Sequence, residues 1–597
     1  MREWLRTIRL MVTISWRADA PRSVAALVTA SGQMAAVPLR ALGLKVLADG
    51  AVAADGPYAI GGAALVLAFS AVHRVMVHAS FNVRMRLREN TQLYLDSHLM
   101  GLTSGLPGLE HHERPEYHDQ VELLRNERGA LANPFNPISW TVASLVQVIS
   151  VLALLAGVHP ALALLPLFGL PSAWLTARSE RSHLELVEEQ AEDNRRLRHF
   201  LELTTEPPAA KEVRIYDLGE ELLARRRVLF ERLERTRVAL AIRRTALASG
   251  GWLVFAAGYL AAAAWTVRMA GAGHVTVGDV VLVLTVGSQV NQQMAEMSEH
   301  IAWFTRTHRA VQRLSWFTRY AEQAHAAVEP TDPAPVPERL RQGIRFHGVG
   351  FTYPGTAQPV LSGVDLFFPA GSTIALVGEN GAGKTTLVKL LFRLYEPSEG
   401  TISVDGVDLR RIPIGPWRAR LSAGFQDFAR FQLAARETVG VGDTACMSSD
   451  PHVLAALKRA AGSDVLAALP GGLGSQLGKE FAGGVELSIG QWQKLALGRA
   501  MMRPEPLVLV LDEPTASLDA TTEHALFEHF HGAAREAARR SGAITILISH
   551  RFSTVRMADQ ILVVAAGRVV EMGTHLELLA AGGLYAELYG LQAQSYR

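Results

Sequence analysis

Cysteine is nearly missing from the 597 residues, Cys446 being the only one. A single thiol excludes an intramolecular disulfide, and without companions it makes neither a structural zinc site nor a redox pair, so Cys446 reads as a packing or surface residue. Charge is also sparse: 19% of residues are charged, 49% are hydrophobic, and the mean hydropathy is +0.14, against about 25% charged in an average soluble protein. The 59 basic and 57 acidic residues leave a net charge of +2. No global field points to nucleic acid or to an acidic substrate, and no nucleic-acid partner is expected. Lysine is rare, with 7 against 52 arginines, a compositional mark of a high-GC bacterium. At about 150 residues per domain, the length predicts roughly four units with substantial cores, which excludes intrinsic disorder and small secreted scaffolds.

The apolar residues are concentrated in the first half. Six runs of spanning length, about 20 residues each, lie at 23–47, 58–79, 137–158, 160–177, 246–267 and 275–290. The first contains Arg40 and Lys45, the fourth Pro166 and Pro171, and the sixth soon turns polar. Lys and Arg between the runs are lopsided: 5 in residues 1–22, 6 in 80–136 and 15 in 178–245, while the opposite loops hold only Arg268. Cytoplasmic segments retain positive charge, so the pattern predicts a multi-pass protein of the plasma membrane with both termini inside.

Residues 1–22 place Trp4, Leu5, Ile8, Met11, Val12 and Trp16 at helical spacing with Arg2, Arg6, Arg9 and Arg17 around them, a pattern suited to an amphipathic helix at the inner membrane surface. A cleaved signal peptide is the alternative, but the basic stretch is too long and no cleavage motif follows. The connections 80–136 and 178–245 are rich in Leu, Glu and Arg at helical spacing and continue the spans into water. Pro330, Pro333, Pro335 and Pro337 make 328–338 semi-rigid. The predicted organisation is an interfacial helix (1–22), a six-helix all-α transmembrane domain (23–327), a linker (328–340) and a second domain of α/β type (341–597).

In that last part a strand-like run, 372–377, leads into GENGAGKTT at 378–386 and then an apolar helical pattern. Strand, glycine-rich loop and helix let consecutive N–H groups close around phosphates, with Lys384 reaching the terminal phosphates and Thr385 offering its hydroxyl to magnesium. Gly378, Glu379, Asn380, Gly381, Ala382, Gly383, Lys384, Thr385 and Thr386 are the predicted ATP-binding loop. Downstream, LVLVLDEP at 507–514 is a buried strand ending in Asp512 and Glu513. Strand alternation points these carboxylates oppositely, so one can hold the metal's water shell while the other polarises an attacking water.

With these two elements in order, the sequence resembles the ATP-binding cassette (ABC) transporter family over nearly its whole length. By that resemblance Tyr353 in FTYPG stacks on adenine, and Gln426 in FQDF links the magnesium site to the membrane domain. LSIGQ at 487–491 is similar to the family signature, with Ser488, Gly490 and Gln491 binding nucleotide. Asp519 in SLD contacts the opposing subunit, and His550 in ISH senses the γ-phosphate. The resemblance implies ATP and Mg²⁺ as cofactors, with Glu513, His550 and Gln426 catalytic and Thr385, Gln426 and Asp512 at the metal. It also implies a dimer, since the signature of one chain completes the ATP site of the other. Closure on two ATP molecules and reopening after hydrolysis then rearrange the membrane helices. Ile489 departs from the signature's usual glycine pair, and its β-branch would weaken the site if that backbone needed positive φ.

One membrane half and one cassette make a half-transporter of the exporter arrangement, partnered by a second copy or a related half-transporter. Cassette contacts are expected near 114–120 and near 208–217. Gln289, Asn291, Gln292, Gln293 and Glu296, and also His73, Arg74 and His78, either face a cavity or stand in cytosol on extended helices. LEHHERPEYHDQVELL at 109–124, FQDFARFQL at 425–433 and IGQWQKLALGRA at 489–500 look like bacterial peptide exporters of the lantibiotic type. No peptidase domain is expected ahead of the first span. The resulting expectation is ATP-driven export of a peptide or peptide-like product through membrane lipid. The alternatives are a lipid, multidrug or siderophore transporter, a catalytically weak regulatory subunit, and a soluble ABC protein.

Overall fold

Backbone polar groups inside a bilayer have no water to bond, so a spanning apolar run must satisfy them internally as a helix. A computed structural model of the chain describes residues 2–595 except 172–173, 176–177, 179–185, 187–188, 515–519 and 550. Two compact units emerge, residues 1–103 with 120–318 and residues 104–119 with 319–597.

The first unit is helical. Helix α1 (Arg2–Val52) breaks at Asp19, where φ and ψ are −164° and 89°. The Asp19 carboxylate accepts from the Arg22 N–H at 3.0 Å and from Asn90 Nδ2 at 2.8 Å. It therefore acts as an N-cap for the segment beyond, with Pro21 tolerated in the first turn. A tight turn at Ala54 (φ 52°) leads to α2 (Gly56–Gly105). Then come α3 (Asn136–Val158), a 3₁₀ segment at Pro160–Gly169 containing Pro166, α4 (Gly219–Gly271) and α5 (Val277–Val328).

Helices α2, α3 and α4 are long and apolar enough to cross a membrane, and Pro160–Gly169 and Val277–Val290 are shorter apolar helices. The expected fourth run begins in the 3₁₀ segment and continues into residues outside those described. Ile60, Leu67, Ile149, Leu253 and Leu260 are all exposed. A ring of large apolar side chains facing outward suits a hydrocarbon solvent rather than water. Lys45, the charge inside the first run, pairs with Asp279 at 2.5 Å. Close by, the Asp49 carboxylate accepts from the Gly278 N–H at 2.7 Å, so α1 and the start of α5 are tied by compensated polar groups.

The second unit holds two sheets. Strands β1 (Gly343–Phe351), β2 (Leu361–Pro369), β4 (Glu399–Val404) and β5 (Val407–Asp408) form an antiparallel sheet in the order β2-β1-β4-β5. The other sheet runs β10-β9-β3-β8-β7-β6 and uses β3 (Thr373–Val377), β6 (Leu421–Gly424), β7 (Val508–Asp512), β8 (Ile544–Ile548), β9 (Gln560–Ala565) and β10 (Arg568–Gly573). Its β9-β3-β8-β7-β6 part is parallel. β7 and β8 are buried along their whole length, which explains their unbroken apolar runs. Ile374, Leu376, Leu387 and Trp417 pack in the core between the layers, and the Trp417 indole N–H donates to the Leu391 carbonyl at 2.9 Å.

Candidate nucleotide-binding site

Parallel strands place their carboxyl ends on one edge, where ligands of α/β sheets gather. β3 ends into the loop 378–386, β6 just before Gln426, β7 at Asp512 and Glu513, and β8 just before His550. Three sequence-distant motifs, the loop 378–386, Gln426 and the Asp512–Glu513 pair, are thus delivered to one edge by strand order alone. His550 and Asp519 lie outside the described residues.

The loop is built for close approach. Gly378 and Gly383 have φ of 153° and 105°, and a Cβ at Gly378 would lie 2.1 Å from the Val564 carbonyl oxygen. Glu379, Asn380 and Gly381 form its exposed tip and Ala382 its buried base. Helix α6 (Lys384–Leu391) starts at Lys384, so its free N–H groups and positive dipole end point into the loop. Lys384 Nζ donates to the carbonyls of Gly378 and Glu379 at 2.7 and 2.8 Å. Burial holds this ammonium below the ordinary lysine value, although Glu513 and Asp512 pull it upward.

The two carboxylates have different surroundings. Asp512 is buried, and desolvation, followed by the charges of Glu513 and Asp427, pushes it up to about 6 against Lys384 and Thr385. The Thr385 hydroxyl donates to Asp512 Oδ2 at 3.5 Å. Glu513 takes a left-handed backbone (φ 46°) while its N–H donates to the Ile548 carbonyl at 2.9 Å. Its Oε2 accepts from Gln426 Nε2 at 2.7 Å, and its carbonyl accepts from Gln493 Nε2 at 3.2 Å. A hydroxyl beside a buried carboxylate, under a glycine cradle that a Cβ would fill, fits a nucleotide's phosphates with a divalent cation.

Tyr353 bonds Thr386 Oγ1 through its hydroxyl at 3.2 Å, and its ring meets the edge of Tyr395 at 5.2 Å. Ser488 caps α7 (Ile489–Ala500): the Ser488 N–H donates to Gln491 Oε1 at 2.9 Å, and the Gln491 N–H donates to Ser488 Oγ at 3.3 Å. Ile489 occupies the first helical position with negative φ and an exposed side chain, so the strain anticipated for its β-branch does not arise. Among the described residues none of Ser488, Gly490 and Gln491 bonds the phosphate loop.

Sequence reasoning missed the groups that brace these motifs. The segment 104–119 belongs to the same unit as the cassette. The Leu109 N–H donates to the Leu394 carbonyl at 2.9 Å, Arg418 donates to the Pro107 carbonyl at 2.5 Å, and the Tyr395 hydroxyl donates to Glu113 Oε1 at 2.9 Å. The contact thus starts several residues before the expected 114–120, because the 3₁₀ turn Glu110–Glu113 carries it. The other expected contact region falls on the helix Pro207–Ile215 of the first unit. The one signal available was a tyrosine four residues beyond the phosphate-loop helix, too common a feature to single out.

Residues 361–516 match the ABC transporter family. Over 95% of its length the chain is 28% identical to an ATP-dependent lipid A-core flippase of Bordetella avium, of which it covers 94%. It is 40% identical over 266 residues to the flippase of the same name from Chromobacterium violaceum, and 38% identical over 255 residues to multidrug resistance protein homolog 65 of Drosophila melanogaster. In these two matches the chain spans 43% and 19% of the relative's length. The chain thus joins a unit with helices long and apolar enough to cross a membrane to a unit whose residues 361–516 match the ABC transporter family. Its fold is that of the exporters: a bacterial Atm1-family ABC exporter with ATP bound superposes with a TM-score of 0.77 at 23% identity, over 97% of this chain and 98% of that one. The named relatives favour the lipid or multidrug alternative over the expected peptide cargo.

Proposed function

We propose that the chain is an ATP-driven exporter of an amphipathic, lipid-like or drug-like molecule, working as a dimer in a bacterial plasma membrane with both termini inside. The observation that carries this reading is the Gln426–Glu513 contact at 2.7 Å, which aims a carboxylate beside the phosphate loop of a chain that also holds spanning helices. The lipid and drug names of its relatives support the cargo class, and the inward-side excess of arginine supports the orientation. In domain terms, 1–22 lies at the interface, 23–327 forms the membrane half, 328–340 links, and 341–597 binds nucleotide.

The roles follow from the environments. Gly378 to Thr386 surround phosphate oxygens with N–H groups, Lys384 leaves its carbonyl partners to meet terminal phosphates, and Tyr353 offers its ring to the base. Thr385, Asp512 and Gln426 would hold Mg²⁺, which would supply charge neutralisation at the phosphates. Glu513, steadied by the Gln426 amide, accepts a proton from the attacking water. His550, two residues beyond β8 in the sequence, is assigned to the γ-phosphate. Ser488, Gly490 and Gln491 at the start of α7 meet the nucleotide of a second chain, and Asp519 meets that chain.

The test is ATPase activity of purified protein in lipid nanodiscs. Stimulation by lipids or amphipathic drugs, abolished in Glu513→Gln, is expected. Stimulation by peptides alone would return the peptide reading, and no hydrolysis under any condition would remove the transporter mechanism.

A further inference from the structure

The first unit contains a cavity of about 650 Å³ lined by Gln33 from α1, Trp140 from α3, and Glu296, Glu299, Trp303 and Arg306 from α5, among others. Glu296 stands about 28 Å along α5 from its start at Val277, at about 1.5 Å rise per residue. That is close to the hydrocarbon thickness of a bilayer, about 30 Å, so these carboxylates sit at a membrane–water boundary. Trp140 lies in the first turns of α3, and indoles favour the same depth.

The lining is asymmetric in charge. Glu299 makes no ion pair with any described residue, and Glu296 accepts only a neutral amide, Gln292 Nε2 at 2.9 Å. Arg306, on the same wall, has a partner of its own. The walls are rigid: Trp140 lies between the Arg84 guanidinium, 4.6 Å from its ring centroid, and the His300 ring at 5.9 Å, with His300 Nδ1 3.3 Å from Ser144 Oγ. The Gln33 side-chain oxygen is buried without a hydrogen-bond partner, an acceptor left for a donor on a guest. Two carboxylates that make no ion pair with a described residue, a spare acceptor and the Trp303 indole suit a positive charge on an apolar body.

We infer that this cavity binds the apolar cation class of substrate, a protonated or quaternary amphiphile whose charge meets Glu296 and Glu299 and whose rings or chains lie against Trp140 and Trp303. The inference rests on the exporter reading and narrows its cargo.

The probes are tetraphenylphosphonium and tetraphenylborate, equal in shape and opposite in charge. Each is titrated by equilibrium dialysis into full-length protein in nanodiscs without nucleotide, subtracting empty nanodiscs. Saturable phosphonium binding is expected, weakened ten-fold or more in the Glu296→Gln/Glu299→Gln double variant and several-fold in Trp303→Ala, with no saturable binding of the borate. Should the double variant not elute as intact protein, Glu299→Gln alone, which breaks no ion pair, is expected to weaken phosphonium binding at least three-fold. Absent phosphonium binding, borate binding of equal strength, or an unchanged affinity in the glutamine variants would each overturn the inference. Because no nucleotide is present, these outcomes are independent of whether the chain hydrolyses ATP. A failure of the exporter reading would appear instead as absent ATPase with phosphonium binding intact.

Discussion

The Tyr395 hydroxyl donates to the Glu113 carboxylate at 2.9 Å while its ring packs edge-on against Tyr353 at 5.2 Å. Burial, then the bond to Glu113, holds the phenol well above its ordinary value, so Tyr395 remains a donor. Replacing it with Phe removes this bond, at a cost of about 0.5–1.5 kcal/mol, since the exposed Glu113 carboxylate turns to water. Tyr395→Phe is expected to lower the thermal unfolding midpoint and to raise the KM for ATP a few-fold with a smaller change in kcat. An unchanged KM would separate Tyr395 from the base-binding face.

Glu513→Gln keeps the amide contacts and the left-handed backbone but removes the proton acceptor. Loss of a general base costs typically 10²–10⁴-fold. Steady-state hydrolysis should fall within that range, while fluorescent ATP analogue binding stays within about two-fold. Hydrolysis near the wild-type rate would place the base elsewhere.

Gly378→Ala introduces a Cβ 2.1 Å from the Val564 carbonyl, at a φ of 153° that side chains rarely adopt. The loop must open, so ATP binding is expected to vanish while the far-ultraviolet circular dichroism is preserved. Retained nucleotide affinity would show that the loop relaxes without loss of its N–H cradle.

Asp512 titrates near 6 in the folded protein against 3.8 as its ordinary value. The folded state therefore holds an extra proton between these values, a stabilisation full below about pH 4 and lost as pH rises through 6. Without nucleotide, Asp512→Asn should raise the melting temperature at pH 8 relative to wild type and leave it nearly unchanged at pH 4. In wild type, Mg²⁺-dependent ATP binding should weaken as pH falls below 6, and an equal pH dependence in the Asn variant would contradict this assignment.

His111 is buried, and burial with the charges of His112 and His118 pushes it down to about 4 from 6.5. Its ring meets the edge of Tyr117 at 4.8 Å. Because the unfolded chain takes up the proton first, stability present above about pH 6.5 is lost as pH falls toward 4. His111→Phe should flatten the fall in melting temperature across that window, and a curve parallel to wild type would assign the acid sensitivity to other groups.

The legible parts were those where one residue pattern has one physical solution. Long apolar runs predict helices, and GENGAGKTT between a strand and a helix predicts a phosphate loop. The loop beyond Asp512 was less legible: the left-handed backbone of Glu513 and its contact with Gln426 depend on β6, β7 and β8 ending together. The polar residues around Glu296 were visible, but Gln33, Trp140, Glu299 and Trp303 were not grouped with them, since α1, α3 and α5 meet only after packing.

By itself the order of residues determined the chemistry available: a phosphate cradle, two adjacent carboxylates, and apolar segments too long for water, because each is a property of neighbours along the chain. Only the tertiary structure decided what those groups meet. Glu113 finds Tyr395, Gln426 finds Glu513, and Glu299 reaches a cavity wall through strand order and helix packing, which bring together side chains that no sequence spacing relates.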